Sequence, residues 1–207
     1  MPAKTKRPTQ EEMKTRIARF KDLKSTKAQH GANIGIPPEV LELITAKTTY
    51  NIMSPAGLGG QLAPTPPVVG GDAGVFRLGI VTCPPGNGAG LHVHWKTHET
   101  FMALTGQWEM IWGDKGEEKT VLDPFDLMAV PPGVTRTFKN ISAADAHLLV
   151  IIQGKPGEFD DVGRVPETAD KVAQKFGPAM VEKLKSLGWQ FTLDANAPPE
   201  AMQNNGE

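Results

Sequence analysis

The chain has 207 residues, enough for one globular core with appendages or for two very small domains. Hydrophobic residues make up 39% and charged residues 22%, which excludes a disordered chain, and 22 Gly with 18 Pro signal many turns without a collagen period. The formal charge of -1 leaves no global field to drive binding to nucleic acid or an anionic membrane, so neither partner is expected.

The first 20 residues are basic and then mixed in sign, without the apolar run of a signal peptide, and no stretch approaches the about 20 apolar residues that span a bilayer. Together with a single cysteine, Cys83, these features lead us to expect a soluble, cytoplasmic protein.

Thr9 and Glu12 form a capping-box pattern, and Met13, Ile17, Phe20 and Leu23 recur at helical spacing, predicting an amphipathic helix to about Lys27. A break at residues 29–33, which include His30, precedes a short helix from Pro37 to Ile44 with proline in its first turn. The connection is too long, and the second helix too short and acidic, for a helix-turn-helix that reads DNA. Residues 54–74 are rich in proline and glycine and read as a surface loop, a candidate lid.

From residue 75 the period changes. Residues 75–82, 91–94, 100–105, 108–112, 119–122, 126–130, 136–139 and 147–153 are short apolar or alternating runs separated by turn residues. This pattern predicts an antiparallel sandwich or small barrel. Residues 167–187 then read as one or two helices broken at Gly177-Pro178, with Gly188 as a stop and a frayed tail of about a dozen residues. Three regions are expected: a helical arm and loop over 1–74, a β-barrel over 75–153 and a helical extension over 154–207.

The chemistry concentrates between Gly86 and Gly106. His92 and His94 stand at i and i+2 on a strand and so share a face, and Glu99 at the start of the next strand can close on the same point. Two imidazoles and a carboxylate make a facial ligand set with open positions, suited to iron(II) or to manganese, nickel or zinc. His98 is a further metal candidate, although alternation from an inward Glu99, Phe101 and Ala103 would turn it outward.

These residues resemble the first motif of the cupin superfamily, with Gly86, His92, His94, Glu99 and Gly106 in every fixed position. Pro131, Gly133 and Asn140 resemble its second motif, whereas Phe125 stands where that family usually has glycine and Arg136 where it has a fourth metal-binding histidine. The resemblance covers about 80 residues, 75–153. It implies an all-β core, a cupin-type antiparallel β-barrel or jelly roll with N-terminal and C-terminal helical extensions, and a site inside its mouth.

Arg136 keeps its proton at neutral pH and cannot be an ordinary ligand. Beside a metal it is suited to clamp a substrate carboxylate. Without one it would pair with Glu99 or swing to solvent. Arg136 and Glu99 are the candidate catalytic residues.

Phe101 and Phe138 share parity with Glu99 and Arg136 and are candidate pocket walls. Trp108, on one face with Met110 and Trp112, reads as core or as a pocket wall. Cys83 and His147 read as structural residues at strand ends.

The expected function is that of a metal-dependent cupin enzyme acting on a small anionic molecule, by dioxygenase, lyase or isomerase chemistry. The alternative is a non-catalytic metabolite-binding cupin, a sensor or storage module, whose metal is absent or only structural. Cupin barrels often pair through edge strands, so a homodimer is expected in either case.

Overall fold

The structure is a computed structural model that describes residues 7–25, 34–55, 69, 76–155 and 157–193. His30, most of the 54–74 loop and the C-terminal tail lie outside the described residues.

Among the described residues, ten strands form two five-stranded antiparallel sheets. They are β1 (Thr48–Met53), β2 (Phe76–Cys83), β3 (His92–His94), β4 (His98–Ala103), β5 (Trp108–Trp112), β6 (Glu118–Leu122), β7 (Leu127–Val130), β8 (Arg136–Asn140), β9 (Ala146–Gln153) and β10 (Val162–Arg164). One sheet runs β1-β2-β9-β4-β7 and the other β10-β3-β8-β5-β6. Alternation decides what fills the space between them. Along β4 the residues Glu99, Phe101 and Ala103 are buried, while His98 is exposed. Val81, Phe101 and Leu148 of the first sheet meet Trp108, Met110 and Phe138 of the second in one apolar core. This is the antiparallel two-sheet body expected from the strand pattern, and the all-β jelly roll that the resemblance implies.

The sheets also draw a strand from each flank of residues 75–153, β1 from the N-terminal side and β10 from the C-terminal side. β1 shows no clean apolar alternation, since only Asn51 is buried in it, and β10 has three residues, too few to register as a period.

The N-terminal helix is also shorter than its apolar spacing predicts. The capping box forms, with the Thr9 hydroxyl accepting from the Glu12 N–H at 3.2 Å, yet α1 covers only Gln10–Lys14. Met13, Ile17 and Phe20 remain exposed, so no packed face supports the helix beyond the length at which isolated helices fail. Phe20 instead stands edge-on to Tyr50 and His147, at 5.3 and 5.1 Å between ring centroids.

A second core joins the two flanks. Val40 and Ile44 of α2 (Pro38–Ile44) pack with Val172 of α3 (Pro166–Phe176), with Val181 and Leu184 of α4 (Pro178–Ser186), and with Trp189. Gly177 separates α3 from α4 at φ +86°, a conformation L side chains rarely adopt. The Ile44 carbonyl accepts from the Gly90 N–H at 3.0 Å, which ties this core to the loop that enters β3.

Candidate functional site

β3 carries His92 and His94 on one face, and the chain then crosses to the other sheet to deliver Glu99 on β4. Asp161 holds that crossing. Its Oδ2 accepts from the Lys96 and Thr97 N–H groups at 2.8 and 2.7 Å, and its backbone carbonyl accepts from the Trp95 N–H at 3.1 Å. The result places one donor atom each from His92, His94 and Glu99 within 4.8 Å of one another. The two imidazole Nε2 atoms stand 3.6 and 3.7 Å from Glu99 Oε2.

The outer nitrogens fix which ring atoms face inward. His92 Nδ1 lies 2.8 Å from the Gly90 carbonyl, which can only accept, so this nitrogen carries the proton and Nε2 presents a lone pair. His94 Nδ1 lies 2.8 Å from Thr97 Oγ1 and 3.1 Å from Asp161 Oδ1. The Thr97 hydroxyl donates to Asp161 at 2.9 Å, so it accepts from His94, and that ring also turns Nε2 inward. Two inward lone pairs and a carboxylate, each oriented by outer hydrogen bonds, fit a divalent transition metal.

The electrostatics of His92 and of the two carboxylates accord with this arrangement. Burial lowers the proton affinity of His92 and, with smaller contributions from Arg136 and His94, outweighs the Glu99 carboxylate, which raises it, so the imidazole stays neutral. Burial alone would raise the Glu99 carboxyl, but His94, Arg136 and His92 hold it well below the usual carboxylate range. Asp161 behaves alike. Its burial is outweighed by the bond to His94 and by the Lys96 and Thr97 N–H groups.

Other expected site residues fall elsewhere. His98 is exposed on the outer face of β4, outside the ligand group, because neighbours on a strand point to opposite sides. Phe101 and Trp108 are fully buried in the barrel core and do not reach the cavity beside the ligand group. The Trp108 indole N–H donates to the Thr105 carbonyl at 3.0 Å, and the ring packs against Phe138 at 5.8 Å. Phe138 does line the cavity.

Arg136, expected as a substrate clamp or as a partner of Glu99, takes the second role. It is 1% exposed, and its Nε donates to Glu99 Oε2 at 2.9 Å. Its Nη1 donates to the Val134 carbonyl, and its buried Nη2 makes no hydrogen bond.

The cavity holds about 190 Å³ and is bounded by His92, His94, Glu99, Tyr50 and two arginines that sequence reasoning missed, Arg77 and Arg164. Arg77 shares strand parity with Gly79 and the core residue Val81, so a charge on the inward face of an apolar strand was the available signal. Arg164 and Asp161 lie in a polar stretch with no periodicity. Asp161 is 64 residues from its partner Thr97, and no local pattern links them.

Residues 79–152 match the family model described as a cupin domain. Among solved structures, the chain is similar to the protein TT1209 from Thermus thermophilus, at 28% identity over 40% of this chain and 75% of that one, with a TM-score of 0.36. It is also similar to a sugar phosphate isomerase of the cupin superfamily from Silicibacter pomeroyi, at 26% identity over 41% of this chain and 56% of that one, with a TM-score of 0.37. No curated protein matches the sequence. With the motif residues in place on two facing antiparallel sheets and the family match lying across them, residues 79–152 are a cupin domain.

Proposed function

We propose that this cupin is a metal-dependent enzyme acting on a small anionic organic molecule. The observation that carries the reading is the ligand group itself: two imidazoles whose Nδ1 protons are already engaged, and a carboxylate, brought to one point beside a cavity. His92, His94 and Glu99 would hold iron, manganese, nickel or zinc. The metal would supply Lewis-acid or redox chemistry at the positions that three protein ligands leave open. Arg136 keeps Glu99 ionised and fixed in direction, and Asp161 with Thr97 keeps His94 Nε2 facing inward. Dioxygenation of a small organic acid is the reaction we favour, ahead of lyase or isomerase chemistry.

A second reading has its own support. Arg136 already neutralises Glu99, so the barrel tolerates its buried carboxylate without a cation, as a non-catalytic metabolite-binding cupin would require.

Elemental analysis of protein purified without a metal-affinity tag separates the two. About one transition metal per chain, lost in a His92→Ala/His94→Ala double variant, is the expected result. It would direct a screen of small acids for oxygen consumption. No metal in the purified protein, and none taken up from iron, manganese, nickel or zinc, would overturn the enzyme reading in favour of the binding module.

A further inference from the structure

The cavity carries more positive charge than its carboxylates neutralise. Two guanidinium groups, of Arg77 and Arg164, line it beside one carboxylate, Glu99, which Arg136 already engages, and Asp160 acts on Arg77 from outside the lining. Among the described residues no carboxylate lies within ion-pair distance of Arg77 or Arg164, and neither guanidinium makes a hydrogen bond. Both nevertheless border the cavity that contains the ligand group.

Strand register shows why they face it. Arg164 on β10 stands directly opposite His92 on β3, as Arg136 on β8 does from the other side, so the three residues project to one face of their sheet. On the facing sheet Arg77 pairs with Ile152, which pairs with Glu99, forming a single row across β2, β9 and β4. Each unpaired arginine therefore belongs to a different sheet and shares a row with a different ligand of the group. Arg164 is also held in place, its guanidinium carbon 4.1 Å above the Trp189 ring, a stacking that leaves the edge of the fork available for hydrogen bonds.

Burial lowers the proton affinity of both groups, that of Arg164 to about 10, and at Arg77 it outweighs the attraction of Glu99 and Asp160. An anion bound between the two groups would offset that cost.

We propose that the cavity takes a small dicarboxylic acid, one carboxylate held by Arg77 and the other by Arg164, with the middle of the molecule presented to His92, His94 and Glu99. A guanidinium fork matches a carboxylate through two parallel hydrogen bonds. Arg77 and Arg164 face the cavity from different sheets, whereas phosphate sites usually converge several donors on one point. The cavity, at about 190 Å³, is below the range of about 300–1,000 Å³ typical of drug-sized ligands, which restricts the guest to a small metabolite. The inference rests on the proposed function only in taking this cavity as the place where the substrate sits.

The test is calorimetric titration of the full chain with malonate, succinate and glutarate, beside propionate and inorganic phosphate, with and without added metal. The best dicarboxylate is expected to bind at least tenfold tighter than propionate and tighter than phosphate. Arg77→Gln and Arg164→Gln should each weaken it by roughly 10–100-fold, the loss of a charge-assisted hydrogen-bond pair. Should a glutamine variant fail to fold by thermal melting, Arg77→Lys or Arg164→Lys replaces it, with a several-fold loss expected because a point charge cannot make the paired bonds.

Dicarboxylate binding no tighter than propionate, or unchanged in the variants, overturns the proposal, and so does phosphate binding tighter than any dicarboxylate. Arginine-dependent dicarboxylate binding in a protein that takes up no metal would remove the enzyme reading and leave this one standing. A metal-loaded protein that ignores dicarboxylates would do the reverse.

Discussion

At the scale of single residues, the geometry of His92, His94 and Glu99 depends on side chains outside that group. Asp161 is the clearest, because one carboxylate orients His94, anchors the Thr97 hydroxyl and fixes the turn that delivers Glu99. Asp161→Asn keeps the shape and removes the charge. The expected outcome is a loss of metal affinity of about 10–100-fold, read by competition with a chelator, while the fold persists. Arg136 is the other such residue. Its replacement by methionine leaves Glu99 buried without a counter-charge and should destabilise the metal-free protein by about 3–5 kcal/mol in chemical denaturation. Added zinc should then stabilise the variant more than the wild type, since a cation would restore the missing positive charge. His92, His94 and Glu99 were legible in the sequence because strand alternation is local. Asp161 and Arg164 were not, because their partners are brought to them only by folding.

At the scale of elements, turns decide where the strands can go. The link between β6 and β7 places Phe125 at φ +77°, a left-handed conformation that side chains adopt at a cost of about 1–2 kcal/mol. The ring is 77% exposed and contributes little packing in return, while its N–H donates to the Ala103 carbonyl at 2.7 Å and fixes the turn. Phe125→Gly should therefore raise stability by about 1 kcal/mol, seen as a higher denaturation midpoint at unchanged cooperativity. Runs such as Trp108–Trp112 announced their strand from sequence with both ends correct, since apolar alternation is strong there. The N-terminal helix did not, since its apolar stripe predicts a helix only where another surface receives it.

At the scale of the molecule, two cores cooperate. The barrel core supports the ligand group, and the helical core made by both flanks supports the wall that carries Arg164, through the contact with Trp189. Leu184 is fully buried in the helical core, and Leu184→Ala should lower stability by about 2–5 kcal/mol. Because the proposed metal ligands sit on the barrel strands, the variant should retain the wild-type metal content. Loss of metal in a folded Leu184→Ala protein would show that the two cores are coupled more tightly than their separate packing implies. None of the described helices is long and apolar enough to cross a membrane.

The amino-acid sequence by itself determined the strand-rich body, the pairing of His92 with His94 on one face and the approach of Glu99, because those facts depend on alternation and on spacings of a few residues. Tertiary structure alone decided that Arg136 turns to Glu99, that Trp108 and Phe101 fill the core, and that Arg77 and Arg164 face the group of His92, His94 and Glu99 from opposite sheets. Those outcomes depend on which strands become neighbours across the barrel. That pairing is set by the burial of the whole apolar surface, and no stretch of local sequence encodes it.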